Sequence, residues 1–175
     1  PYTTLFRSGR RERSPMNRNA IADIIKTMYD IERKLDDLFK HQAKKFGISY
    51  SEFLIFYSFT LEDIPKTAQH LAEENFLSKQ TASSALLRMK KKGWIQDTPG
   101  NDKREKLISM TKTGRAFRHQ TTDRLLHIDA TVMNKIGLDE IRHTLALYQH
   151  YVDLMAEEYK QLPQQTDLSD ESSLR

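Results

Sequence analysis

From Asn19 to Phe46 the apolar residues Ile21, Ile24, Ile25, Met28, Ile31, Leu35, Leu38, Phe39 and Phe46 recur at intervals of three and four. That is the period of one helix face, and Gly47 supplies a C-terminal stop, so one long amphipathic helix is predicted. A second helix begins after Ser49 or Ser51 and ends before Pro65, with Phe53, Leu54, Phe56, Tyr57 and Phe59 giving it the aromatic density of a core element. Lys66 to Glu74 reads as a short helix with Ala68, Leu71 and Ala72 inward. Asn75-Phe76-Leu77 interrupts the pattern, and Ser78, a good N-cap, opens a helix that runs to Lys92 before Gly93 closes it. Two strand-like runs, Trp94 to Thr98 and Lys106 to Met110, flank Pro99-Gly100-Asn101-Asp102, whose turn chemistry predicts a β-hairpin. Thr111 then caps a helix through about Lys135.

Gly137-Leu138-Asp139 breaks and recaps the chain, and the last helix carries two apolar stripes. Ile141, Leu145, Tyr148, Val152, Met155 and Tyr159 alternate by four and three, while Leu147 and Leu154, with His143 and His150, lie on nearly the opposite side. A terminal helix that is apolar on two faces is expected to be sandwiched, with a partner subunit as its second neighbour. From Pro163 the sequence is polar and aperiodic, so residues 163–175 are read as a disordered tail and truncation after Gln161 as harmless. The first eight residues have neither apolar period nor capping logic, and they resemble the in-frame translation of a common sequencing-adaptor oligonucleotide. Residues 1–15 are therefore read as a non-native or disordered leader, with Met16 as the expected native start.

Composition narrows the chemistry. The 175 residues suffice for one ordinary domain with a sizeable core, and 38% hydrophobic with 30% charged residues suits a helix-rich globular fold. Cysteine is absent, which excludes disulfides, thiolate zinc sites and iron–sulfur clusters. The longest apolar stretch, Phe53 to Phe59, is far short of the roughly 20 residues of a membrane span, and no secretory segment follows the N-terminal arginines. The expectation is a soluble, cytoplasmic protein.

The net charge of +4 is unevenly spread. Arg7, Arg10, Arg11 and Arg13 against Glu12 place an excess of three in the leader, while Lys66 to His119 holds twelve Lys and Arg against five acids. Basic charge concentrated in a central third flanked by acidic segments suits a polyanion-binding module, or simply a solvated basic face. The order helix, short helix, turn, longer helix, β-hairpin across that segment is the order of a winged helix-turn-helix. Within its longer helix, Ala82, Ala85 or Leu86, and Met89 form an inward line of mostly small residues. The opposite side displays Lys79, Gln80, Thr81, Ser83, Ser84 and Arg88, which with Ser78 can reach base edges and phosphates from the major groove. Lys90, Lys91 and Lys92 equally serve to offset the helix dipole.

Leu71-Ala72-Glu73, Leu77-Ser78-Lys79-Gln80-Thr81, Lys91-Lys92-Gly93-Trp94-Ile95 and above all Asp102-Lys103-Arg104 followed by Leu107-Ile108-Ser109-Met110-Thr111-Lys112-Thr113-Gly114 resemble the motifs of the multiple-antibiotic-resistance regulator (MarR) family. The last is similar to that family's D-x-R wing motif with its strand, cap and helix start. One departure is Asn75-Phe76, where the family often carries an apolar residue followed by glycine. The resemblance implies a mainly α fold: a single domain over 16–162, with a winged helix-turn-helix core at about 50–112 and dimerisation helices at about 18–46 and 112–161. It implies a bacterial transcriptional repressor that binds an inverted repeat of double-stranded DNA as a homodimer. Arg104 would enter the minor groove, with Asp102 holding the wing in place and Lys103 beside it. Read alone, Asp102 is equally an Asx-turn residue and Arg104 a solvated strand charge. Dimerisation would use Ile141, Leu145, Tyr148, Val152 and Met155.

Effector chemistry is less marked. Six histidines invite a zinc-sensor reading, but His143 and His150 lack the i, i+4 spacing of a helical metal clamp and no thiolate exists, so neither metal nor cofactor is expected. His41, Phe53 and Tyr57 are candidates to line a small-molecule effector cleft, as in several members of the resembled family, although an aromatic stripe of this kind also serves as core. The sequence shows no glycine-rich phosphate loop, nucleophile elbow or carboxylate–histidine cluster, so no enzyme is expected. The alternative to a DNA-binding regulator is a winged-helix module that binds protein instead.

Overall fold

A computed structural model describes residues 17–100 and 106–162. Helix α1 (Arg18–Lys45) starts at Asn17, whose side chain accepts from the Ala20 amide, and α2 (Tyr50–Leu61) starts at Ser49. Strand β1 (Lys66–Thr67), α3 (Ala68–Glu74) and α4 (Lys79–Lys91) follow, then β2 (Ile95–Pro99) and β3 (Lys106–Met110). The chain closes with α5 (Lys112–Gln120), α6 (Thr122–Ile136) and α7 (Leu138–Tyr159). Two compact units divide between Arg115 and Ala116.

In the first unit α2 is the hub. Phe53, Ile55, Phe56 and Phe59 are fully buried, and they pack with Leu71 and Ala72 of α3, Ala82, Ala85, Leu86 and Met89 of α4, and Ile95, Ile108 and Met110 of the sheet. Each buried Phe or Ile side chain is worth about 1.5–3 kcal/mol, so this cluster fixes the three short helices against each other. The sheet runs β1-β3-β2, antiparallel throughout, with Lys66 opposite Ile108 and Ile95 opposite Met110.

Three expectations require correction. Lys66 to Glu74 is not one helix, because Lys66 and Thr67 pair with β3 and the helix begins only at Ala68, with Thr67 capping the His70 amide. Two residues paired to a strand about forty positions away leave no local periodicity to read. Ala68 is exposed, not inward, and α3 buries only Leu71 and Ala72. The helix expected from Thr111 to Lys135 is interrupted at Thr121 (φ −124°, ψ −90°), whose hydroxyl donates to the Phe117 carbonyl. Adjacent β-branched residues followed by Asp123 in the first turn of α6 favour a break there.

In the second unit Gly137 (φ +106°) separates α6 from α7. Arg118 pairs with Asp123 at 3.1 Å, and Arg142 with Asp139 at 2.9 Å. Helix α7 has no buried residue along its 22 positions.

Candidate nucleic-acid interface

The geometry of the interface begins with two local bonding patterns. Thr111 Oγ1 accepts from the Gly114 amide at 3.0 Å and donates to the Gly93 carbonyl at 2.6 Å, and the Thr111 amide donates to the Trp94 carbonyl. The start of α5 is thereby bolted to the end of α4, which sets where the hairpin leaves the helix. At α4 itself, Ser78 Oγ accepts from the Thr81 amide at 3.1 Å and meets the Thr81 hydroxyl at 2.8 Å. The Ser78 hydroxyl is therefore committed as a cap.

Helix α4 divides cleanly. Ala82, Ala85, Leu86 and Met89 are buried, while Ser78, Lys79, Gln80, Thr81, Ser83, Ser84 and Arg88 are all exposed. Leu87 is exposed as well and stands one turn from Ser83 and Ser84, an apolar member of the outer face that its polar neighbours concealed in the sequence. A groove lined by Ala68, Gln69, Ala72, Lys79 and Ser83 runs between α3 and α4.

The cations of α4 are not equivalent. Lys79 makes no ion pair among the described residues, whereas Lys90 bonds Asp97 of β2 at 2.5 Å. Arg88 donates to Ser49 Oγ at 3.2 Å and lies 3.6 Å from Glu52, and Lys92 reaches the same carboxylate at 3.3 Å while resting 4.3 Å above the Trp94 ring. Lys90 and Lys92 thus fasten the helix to its surroundings, and Arg88 does so at the same time as it reaches the surface.

Glu52 is the residue sequence reasoning missed here. It completes a capping box with Ser49, accepting from both the Ser49 amide (2.8 Å) and hydroxyl (2.7 Å), and it is 2% exposed. Burial alone would push its carboxyl up, but the Ser49 hydrogen bonds and the Lys92 charge outweigh that and hold it below the usual carboxylate range. The S-x-x-E spacing was a readable signal. A second buried pair supports the sheet: Lys66, 3% exposed, donates to both oxygens of Glu74 at 3.0 Å and to Ser58 at 3.1 Å. Burial opposes ionisation of Glu74 too, and the Ser58 and Lys66 bonds overcome it, leaving that carboxyl lowered.

Of the effector candidates, Phe53 is fully buried, with ring centroids of Phe39, Phe46, Tyr50 and Tyr57 between 5.5 and 6.4 Å away. It packs as core. His41 is exposed and Tyr57 half-buried. Burial, then a hydrogen bond to Asp36, pushes the Tyr50 hydroxyl up to about 12. Asp102, Lys103 and Arg104 lie outside the described residues. Of the dimerisation candidates, Leu145, Tyr148 and Val152 are 61%, 43% and 43% exposed, and Ile141 and Met155 are half-buried. Among the described residues no helix is long and apolar enough to cross a membrane.

Comparison with known proteins gives the same fold. A family model described as MarR family matches residues 46–105. The uncharacterized HTH-type transcriptional regulator YwoH of Bacillus subtilis (strain 168) is 30% identical over 100 residues, 57% of this chain and 69% of that protein. Among solved structures, a MarR family regulator from Neisseria meningitidis superimposes with a TM-score of 0.66 at 23% identity, covering 83% of this chain and 98% of that one. AbfR of Staphylococcus epidermidis, in its reduced form bound to DNA, gives 0.52 at 19% identity over 79% and 95% of the two chains.

Proposed function

Because the chain belongs to the MarR family of DNA-binding transcriptional regulators, we propose that it is a cytoplasmic repressor that binds an inverted-repeat operator as a homodimer. Helix α4 lies in the major groove in this reading, with Gln80 and Arg88 addressing base edges, Ser83 and Ser84 supporting them, and Lys79 on a phosphate. Asp102, Lys103 and Arg104 belong to the wing, and Arg104 enters the minor groove.

The observation that carries the reading is the division of α4 into a buried face of small and apolar residues and an outer face of donors and acceptors, fastened at its C-terminal end through Glu52, Asp97 and Trp94. A helix anchored at one end and bare at the other presents the bare end. Lys79 and Gln80 stand there.

Binding curves on an inverted-repeat duplex and its scrambled counterpart, across a salt series, test the assignment. Gln80→Ala should relax discrimination between the duplexes by about 1–3 kcal/mol. Lys79→Ala should weaken both alike and reduce the salt slope by roughly one unit. Arg104→Ala should cost most on duplexes with A·T-rich flanks. Equal losses on both duplexes for Gln80→Ala would remove base reading from this helix.

A further inference from the structure

Three helices of the first unit end in the same way. After α1, the Gly47 and Ile48 amides donate back to Lys44 and Ala43; after α4, Gly93 and Trp94 donate to Lys90 and Met89; after α3, Phe76 and Leu77 donate to Glu73 and Ala72. This paired bonding needs its central residue in the left-handed region, where glycine is the ordinary occupant. Gly47 (φ +68°) and Gly93 (φ +69°) meet that need, but at the third position stands Phe76, with φ +52°. A bulky side chain is strained in this conformation.

Among the described residues, no packing of the side chain offsets that strain. Phe76 is 96% exposed, the most exposed of the large apolar residues described, and among the described residues it takes part in no ring contact. Its place in the chain is specific. It lies two residues before Ser78, the N-cap of α4, beside the end of that helix where Lys79 and Gln80 are exposed. An aromatic ring there travels with the end of the helix that enters the groove.

We propose that Phe76 is a specificity-determining contact, packing in the major groove against the C5-methyl group of a thymine beside the bases that α4 addresses. The proposal rests on the reading of α4 as the groove-binding helix. Within the major groove, a thymine methyl is the one base substituent that offers an apolar surface to an apolar side chain, and phenylalanine is among the residues that use it. The ring adds what the polar outer face of α4 lacks at its leading end. Strained backbone at a functional contact, tolerated because the contact needs the side chain, is a recurrent arrangement.

The test uses a duplex selected by the full-length protein from a random-sequence pool, and the same duplex with thymines replaced one at a time by deoxyuridine, which removes only the methyl group. For the wild-type protein, one symmetry-related pair of thymines should each show a loss of about fourfold, the worth of one buried methyl. Phe76→Gly should bind the selected duplex more weakly, be indifferent to uracil at those positions, and melt about 2–4 °C or more higher because the strain is relieved. Loss of affinity with gain of stability separates the contact from a folding defect. Phe76→Leu should restore part of the methyl dependence. Phe76→Gly binding as tightly as wild type, or losing affinity equally on thymine and uracil duplexes, overturns the proposal while leaving the regulator reading intact. If selection enriches no sequence at all, the regulator reading and the proposal fall together.

Discussion

At the scale of single residues, Gly114 explains why a wing-to-helix motif tolerates so little change. A Cβ built there would sit 1.9 Å from the Trp94 carbonyl oxygen, a backbone atom that the Thr111 amide already holds in place. No side-chain rotation can relieve the overlap. Gly93 gives a useful contrast, since its φ of +69° disfavours a side chain although nothing lies within 4 Å of the added atom. Gly93→Ala should therefore cost about 1–2 kcal/mol from backbone conformation alone. Gly114→Ala should cost about 3 kcal/mol or more, because α5 must move off α4. Urea midpoints of the two variants measure the difference, and equal losses would show that the Trp94 contact is not what constrains position 114. Thr111 to Gly114 was legible in the sequence as a motif. The carbonyl that makes the glycine necessary belongs to a residue twenty positions earlier and leaves no trace in local pattern.

At the scale of elements, caps and apolar period made most helix boundaries legible: α4 begins at Ser78 and Gly93 closes it, α2 begins at Ser49, one of the two serines the sequence offered, and α1, whose period was read from Asn19, is capped two residues earlier by Asn17. What escaped was pairing over distance. Strand β1 exists because Lys66 and Thr67 meet Ile108 and Leu107, and Lys66 can be buried because Glu74 and Ser58 satisfy its ammonium group. The partition of cations on α4 was equally hidden, since identical lysines differ only in what stands opposite them. Glu52 and Glu74 give this scale a measurable consequence. Both carboxyls are held below their ordinary range in the folded chain, whereas an unfolded Glu titrates near about 4.3. Between those values the unfolded state binds more protons, so stability due to these groups is complete above about pH 5 and is lost as pH falls through the folded values. Glu52→Gln should destabilise by about 1–3 kcal/mol at pH 7, from loss of charge-assisted bonds with Ser49, Arg88 and Lys92. The gap from wild type should close toward pH 3. Denaturant titrations across that range decide it, and a gap independent of pH would mean that the Glu52 charge contributes nothing.

At the scale of the whole molecule, the apolar residues left outside are the strongest evidence of how it works. Helix α7 buries none of its side chains, and within the first unit Ile24, Ile31, Leu35 and Leu38 of α1 are between 52% and 62% exposed. Monomeric proteins rarely leave large apolar faces in water, and each of these two helices, taken by itself, carries one. The two-striped pattern of α7 was legible in the sequence and led to the expectation of a partner subunit, an identity that periodicity alone does not supply, because it shows that a face must be buried and never against what. A second copy of the chain fits both the pattern and the proposed function. A two-fold pair presents α4 twice and requires half-sites about one helical turn apart, roughly 10 base pairs centre to centre. Light scattering at micromolar concentration should therefore give twice the chain mass. Leu145→Glu, which places a charge in the most exposed part of the stripe, should shift the mass toward one chain. The same substitution should leave binding to a single half-site unchanged while abolishing most of the advantage of the full inverted repeat, since that advantage comes from joining two modest contacts into one event. A monomeric wild type would remove the second copy altogether, whereas a Leu145→Glu variant that still prefers the full site by the same factor would place the dimer interface elsewhere and leave the exposed face of α7 without its partner.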